Sequence, residues 1–361
     1  MSAVQARLQA AAAFAQAHEV RWPRDPAAPR APGEEPWGVH LEDPPPYNRL
    51  RGPVHARGPQ SGVVWQHGVE IASWGEPERA DLTFSVAKSY LALLAGVAQA
   101  EGLLPDEDAR VVDWLPGIGF DSAHNRPITW THLLTQTSEW EGTCFGVPDT
   151  VDRWRKVGLD PRPSAGPKGG ARPLQAPGTY WEYNDVRINQ LALALLHLFR
   201  TPLPQVFLER VLRPLGGGAG FAWQGYDDAW LELPGVGRVQ SVPGGSHWGA
   251  GVSISARDQA RIGQMMLQGG SAGALRIVAR EWLERMAVPC AIAPFYGRLV
   301  WLNPNRRAFP GASAEAVVMM GAGGHFVWID APLDAVVVLR WLDPDAATPA
   351  IEGIATALRD G

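Results

Sequence analysis

A serine three residues before a lysine, at the mouth of an apolar run, is the first place in this chain where chemistry could begin. Phe84-Ser85-Val86-Ala87-Lys88-Ser89-Tyr90-Leu91 continues into Ala92-Leu93-Leu94-Ala95-Gly96-Val97-Ala98, mostly strong helix formers, and Gly102 stands where a helix would stop. If Ser85 opens that helix, residues i and i+3 share a face and the Lys88 amine reaches the Ser85 hydroxyl. A serine hydroxyl becomes a nucleophile when a base takes its proton. Lysine serves as that base when its surroundings hold it neutral, against a free pKa of about 10.4. A helix N-terminus adds N–H groups and partial positive charge for an oxyanion. Ser-x-x-Lys alone is common by chance. Composition sharpens it: the chain has 32 Lys plus Arg, yet its only lysines are Lys88, Lys156 and Lys168. Arginine, used nearly everywhere else, stays protonated and cannot act as a base.

The elements that must position this pair follow from pattern. Met1 to Glu19 is Ala-rich but broken by Gln5, Arg7, Gln9, Gln16 and His18, so it reads as an amphipathic helix and not as a signal peptide. Residues 20–60 are Pro-rich and read as a surface wrap without a core of its own. We therefore take 1–60 as an N-terminal extension. Ser61 to Trp74 reads as two strands around a turn at His67-Gly68. Helices are expected after Thr129, after Asn184-Asp185, near Pro204 to Leu212 and after Ser255, with Thr129 and Ser255 as caps. Between 158 and 178 Pro and Gly dominate, which reads as a long loop or lid. Strands are expected within 297–302, 316–320, 325–329 and 335–340, and a last helix over 347–359. Short spacers make the strands antiparallel neighbours. The fold class is α+β: one domain over 61–361, its sheet drawn from about 61–100 and 295–361, with a mainly helical insertion over about 103–250.

Further stretches line up with Ser85 and Lys88. Gly178-Thr179-Tyr180-Trp181-Glu182-Tyr183-Asn184-Asp185 puts a tyrosine just before a helix. Met320-Gly321-Ala322-Gly323-Gly324-His325 allows close backbone approach between two strands. Together with Ile128 to Ser138, these motifs resemble the serine β-lactamase and penicillin-binding-protein superfamily. The nearest branch is the class C-like one, with its esterases, D-aminopeptidases and nylon-oligomer hydrolases. The resemblance covers roughly residues 50–361.

The resemblance implies roles. Ser85 matches the acylated serine, Lys88 its partner base, and Tyr183 the tyrosine that shuttles a proton to the leaving group. The second motif is irregular, so either Asn184 or Asp185 takes its polar role. The third motif falls on Gly321-Ala322-Gly323 without its usual leading cation, and the N–H groups of Ser85 and Gly324 would form the oxyanion hole. Asn184, Asp185, Gly323 and His325 are expected to contact substrate. Trp140, Trp181 and Trp248 flank the motifs and are expected either to wall an apolar pocket or to be core.

The implied activity is hydrolysis of a small ester or amide. The alternatives are β-lactamase, D-aminopeptidase or DD-peptidase activity, or a non-catalytic penicillin-binding-like sensor. No metal and no organic cofactor is expected. A Ser246/His325/Asp330 triad is a weak rival, since Gly-x-Ser-x-Gly fails at Trp248. Cys144 reads as a buried hydrophobe, and two cysteines without Cys-x-x-Cys indicate neither disulfide scaffold nor zinc site. A net charge of −5 without a basic run argues against nucleic acid as partner. The absence of an apolar run of about 20 residues argues against a membrane span. We expect a cytoplasmic enzyme whose partner is its small-molecule substrate.

Overall fold

The β-branched runs from the two ends of the chain meet in one antiparallel sheet. The structure, a computed structural model, describes residues 3–29, 31–34, 37, 43–104 and 106–360. Helix α1 (Ala3–Ala17) precedes the hairpin of β1 (Ser61–Gln66) and β2 (Val69–Trp74). Its turn residues His67 and Gly68 have φ of 51° and 75°, the backbone a two-residue hairpin needs to match strand twist. Next come β3 (Asp81–Leu82), α2 (Val86–Ala100), α3 (Trp130–Leu134) and α4 (Asp185–Phe199). They are followed by β4 (Ala222–Gln224), β5 (Gly251–Ile254) and α5 (Ala256–Leu267). The chain closes with β6 (Trp301–Leu302), β7 (Val317–Gly321), β8 (His325–Asp330), β9 (Ala335–Arg340) and α6 (Ala347–Arg359).

Across the sheet the order is β6-β7-β8-β9-β1-β2. Ser61 lies opposite Arg340 and Gln66 opposite Ala335. Every residue of β8 and β9 is buried, as expected of near-continuous apolar strands covered on both faces. Helix α5 crosses β8 and β9, where Gly263 leaves room for Val336. Helix α1 runs along α6 and touches β1 and β2. A second sheet, β3-β5-β4, connects the nucleophile region to the middle of the chain. Among the described residues no single helix is long and apolar enough to cross a membrane.

The α+β architecture read from the sequence is the one that forms, and Thr129 and Ser255 cap α3 and α5. Two elements differ. The strand expected over 297–302 shortens to β6. The helix expected near 204–212 breaks into Leu203–Phe207, a wide turn Leu208–Leu212 and a tight turn Arg213–Leu215. Pro214 has no N–H to return to the preceding turn, which breaks the regular ladder. The Pro-rich wrap also does more than cover surface. Trp22 and Trp37 are buried with Phe84 and Trp341, at ring separations of 5.5 Å for Trp22–Phe84 and 5.6 Å for Trp37–Trp341.

Candidate active site

Ser85 stands at the start of α2 with helical backbone, φ −73° and ψ −4°, and its side chain makes no capping hydrogen bond. The hydroxyl is thus free for other use. Phe84 has φ 51°, a left-handed conformation that costs a bulky residue about 1–3 kcal/mol. The aromatic cluster of Trp22, Trp37 and Trp341 packs around it. One turn on, Lys88 is buried, with Nζ 2.9 Å from Ser85 Oγ and 3.3 Å from the Gly244 carbonyl oxygen. The same nitrogen also pairs with Asp185.

Asp185 comes from the first turn of α4. Asn184 caps that helix, its Oδ1 accepting from the N–H groups of Val186 and Arg187 at 3.0 and 3.3 Å. Of the two residues competing for the polar role, Asp185 therefore meets Lys88 and Asn184 holds the helix end. Arg155 Nη1 reaches Asp185 Oδ2 at 2.7 Å. Burial alone would raise the Asp185 carboxyl, but the neighbouring Arg155 guanidinium and Lys88 amine outweigh it and hold it well below the usual carboxylate range. Tyr183 presents its ring to these cations, with Lys88 Nζ 4.8 Å and Arg155 Cζ 5.5 Å from the ring centroid. Its hydroxyl makes no hydrogen bond among the described residues. Tyr183, Trp181 and Arg155 line a cavity of about 190 Å³.

The glycine turn after β7 settles in a different register from the expected one. A Cβ on Gly321 would overlap the Thr83 carbonyl oxygen and lie 3.3 Å from Ser85 N, so only glycine fits there. Ala322 borders the same small cavity as Ser85. The turn carries Gly323 and Gly324 away: Gly323 faces the Trp341 ring and Gly324 the Leu342 carbonyl. Of this turn, Gly321 packs against Ser85 and Ala322 lines its cavity, whereas Gly323 and Gly324 do not line it, which makes Ala322 the candidate donor in place of Gly324. The positions before Gly321 are Met319 and Met320, so no cation leads this motif in either register.

Other expected contacts fall in the core. His325 is fully buried behind Phe84, 4.4 Å from the Trp341 ring. Burial, with the charges of Arg340 and Arg57, holds its imidazole far below the usual pKa, so it backs the site without facing it. Trp140 and Trp248 are core, their indole N–H groups donating to the Gly119 carbonyl and to Asp43 Oδ2. Trp181 is equally buried but does border the 190 Å³ cavity. The rival triad does not assemble. Asp330 lies at the opposite end of β8 from His325, accepting from Ser313 N and Trp328 Nε1. Cys144 is buried, and burial pushes its thiol up, as befits an inert side chain.

Sequence reasoning named Asp185 and Ser246 singly but missed the group of polar and charged side chains that gathers next to Ser85. Arg155, Asp185, Ser246 and His247 share with Ser85 and Ala322 a cavity of about 10 Å³. Behind it lie Asp43, Asp152 and Lys168. The Lys168 ammonium contacts Asp43 and lies 3.2 Å from His247 Nε2 and 3.7 Å from Asp152 Oδ1. Asp152 Oδ2 in turn accepts from Asp185 N at 2.6 Å. One sequence signal pointed here: Lys168 is one of three lysines, and it falls in the segment over 158–178 that forms no helix or strand.

Comparison with known proteins gives the family and the fold. The Beta-lactamase family model matches residues 63–340. A 6-aminohexanoate-dimer hydrolase from Paenarthrobacter ureafaciens is 33% identical over 110 residues; the match spans about a quarter of that relative's length, 26% of each chain. Among solved structures, EstCE1, a hydrolase with promiscuous acyltransferase activity, superposes with a TM-score of 0.62 at 19% identity, over 98% of both chains. A family VIII carboxylesterase gives 0.59 at 20% identity, over 83% of this chain and 92% of that one. A beta-lactamase from Mycobacterium bovis gives 0.55 at 18% identity, over 83% and 94%. At these identities the structures establish a shared fold.

Proposed function

This chain belongs to the beta-lactamase family, a family of hydrolases, and from that premise we propose that it cleaves small esters or amides through an acyl-enzyme on Ser85. The observation that carries the reading is the 2.9 Å contact between Lys88 Nζ and an otherwise uncommitted Ser85 hydroxyl. Ser85 Oγ attacks the carbonyl carbon while Lys88 takes its proton. The Asp185 carboxylate compensates the charge that gathers on Lys88. The developing oxyanion is held by the N–H groups of Ser85 and Ala322, each such donor being worth about 3–4 kcal/mol. The proton passes from Lys88 by way of Tyr183, whose ring lies beside it, to the leaving group, which departs into the cavity that Tyr183 lines.

Ester or amide bonds are favoured over penicillins for a specific reason. The third motif reads Met319-Met320-Gly321 and offers no cation to a substrate carboxylate. A charge-assisted contact of that kind is worth about 1.5–3 kcal/mol. The carboxylesterase and the 6-aminohexanoate-dimer hydrolase among the similar proteins support the same class. Two measurements test the proposal. A fluorophosphonate probe should label Ser85 in the folded protein; absence of labelling favours a binding module. A p-nitrophenyl short-chain ester should show a larger rate enhancement over its uncatalysed reaction than a chromogenic cephalosporin. The reverse order would move the function to β-lactam hydrolysis, with Arg155 as the first cation to suspect.

A further inference from the structure

Asp43 and His247 form a dyad beside Ser85 that the motifs do not account for. His247 stands in Gly244-Gly245-Ser246-His247-Trp248-Gly249, just before β5, and Asp43 in the stretch ahead of β1. Both are buried, and His247 Nε2 lies 2.8 Å from Asp43 Oδ2. Burial opposes the Asp43 charge, but the hydrogen bonds from His247 and Lys168 outweigh it and hold the carboxyl below its ordinary range. A carboxylate oxygen only accepts, so the nitrogen 2.8 Å from it carries a proton. The Lys168 ammonium donates to Asp43 Oδ1 and lies 3.2 Å from the same nitrogen, which already carries its proton toward Asp43 Oδ2 and so has no lone pair to offer Lys168.

With Nε2 protonated, Nδ1 of the neutral imidazole is a lone pair. Among the described residues Nδ1 has no hydrogen-bond partner, and Asp185 Oδ2 at 3.8 Å is beyond hydrogen-bond range. Ser246 Oγ is likewise buried and uncommitted. Both residues line the 10 Å³ cavity that also contains Ser85. A space of that size holds about one water, and a water needs two or more polar partners. Asp152 Oδ1, 3.9 Å from Nε2, and Lys168 complete the charges around the ring. Asp43, Asp152 and His247 have metal-ligating atoms within 4.8 Å of one another, but the Lys168 ammonium already supplies the cation of that cluster.

We propose that His247 is the general base of deacylation, acting on a water seated in the cavity beside Ser85, with Asp43 as the positioning residue that fixes its tautomer. The step rests on the acyl-enzyme reading above. The water oxygen bonds to the acyl carbonyl carbon as one of its protons passes to His247 Nδ1. The tetrahedral intermediate then expels Ser85 Oγ. As the carbon–Oγ bond breaks, the proton moves from His247 to Oγ. The products are the carboxylic acid, free Ser85 and neutral imidazole.

Rapid-mixing kinetics with p-nitrophenyl acetate, on wild type, His247→Asn and Asp43→Asn, test this. In His247→Asn a burst of about one nitrophenol per enzyme should survive, because acylation does not use His247. The steady-state rate should fall about 10²–10⁴-fold, the usual share of a general base. Intact-protein mass should show the acetyl group held on Ser85. Hydroxylamine attacks the acyl group without a base and should restore release. Asp43→Asn should slow the same phase by a smaller factor, and it decides the matter by the same readings if His247→Asn does not fold. Steady-state rates like wild type, or burst and steady state falling together with no hydroxylamine rescue, would overturn the assignment. Failure of the underlying reading looks different: acid quenching would then trap no acyl group on Ser85 in any of the three proteins.

Discussion

Two buried ionic clusters flank the first turn of α4, and they are built from different cations. On one side Arg187 bonds Asp149 at 2.6 Å and Glu182 and Glu139 at 3.1 Å. Arg172 pairs with Glu139 and Glu182 at 2.6 and 2.8 Å, and Arg153 with Asp149 at 3.3 Å. Three guanidinium groups thus face three carboxylates. On the other side Lys88, Lys168 and Arg155 face Asp185, Asp43 and Asp152, with His247 among them. Two of the chain's three lysines are spent there. Arginine holds its proton and grips carboxylates with a planar fork, which suits a cluster that fixes structure. Lysine and histidine can exchange a proton, which suits the cluster that touches Ser85. Charge balance alone does not separate the two clusters; the kind of cation, and whether its chemistry allows a proton to leave, does.

The largest break in that contrast is Ser85→Ala. Turnover should fall by several powers of ten, on the order of 10⁴ or more, while the thermal midpoint stays near wild type, because one uncommitted oxygen is removed. Undiminished hydrolysis would detach the lysine-bearing cluster from chemistry altogether. Lys88→Arg comes next. It keeps the positive charge beside Asp185 but cannot release a proton, so kcat should drop about 10²–10⁴-fold, nearly as far as in Lys88→Ala. If arginine restored most of the rate, the two clusters would differ only in position.

On the other cluster, Arg187→Leu should cost about 3–5 kcal/mol in urea or guanidinium unfolding, because it leaves buried carboxylates without their partner. Arg187→Lys should recover little of this. A loss within about 0.5 kcal/mol would mean that the arginine cluster holds nothing together.

The smallest effect is in acid. Asp185 and Asp43 both have carboxyls held below their unfolded values, so each adds stability above about pH 4 that is lost as pH falls through its folded pKa. In the arginine cluster the signs oppose: Glu139 is held low, but burial raises Glu182, whose contribution grows as pH falls through its folded value. The lysine-bearing cluster should therefore dominate the loss. Thermal midpoints of wild type and Asp185→Asn between pH 6 and pH 2 should converge as the pH drops. A constant gap would sink the assignment.

Legibility of the site followed distance along the chain. Ser85 and Lys88 lie within one helical turn, so their contact was readable from spacing. The strands were readable because β-branched runs are hard to place elsewhere, and β9 kept its expected bounds. Asp185 was half-readable: the choice turned on which of two polar residues capped α4, which only the fold decides. The glycine turn was misplaced because Gly321, Gly323 and Gly324 are the same residue in sequence. They differ in what each Cα meets, the Thr83 carbonyl in one case and Trp341 and Leu342 in the others. The pairing of Asp43 with His247 left no trace, although His247 stands in the near-elbow stretch around Ser246, because the two are 204 positions apart and joined only when the Pro-rich segment folds across the site.

The pairing of β1 with β9 sets a clock on this protein. Ser61 finds Arg340 only after synthesis has passed residue 340. During synthesis at ~5–20 residues per second, the first hairpin waits on the order of tens of seconds for its neighbour. Until then β1 has an open edge and α1 lacks α6, the helix it lies along. The turn that brings Ala322 to Ser85 is also made late, between β7 and β8. A ribosome-bound or stalled chain that has not reached β9 therefore carries Ser85 and Lys88 without the completed sheet and turn around them.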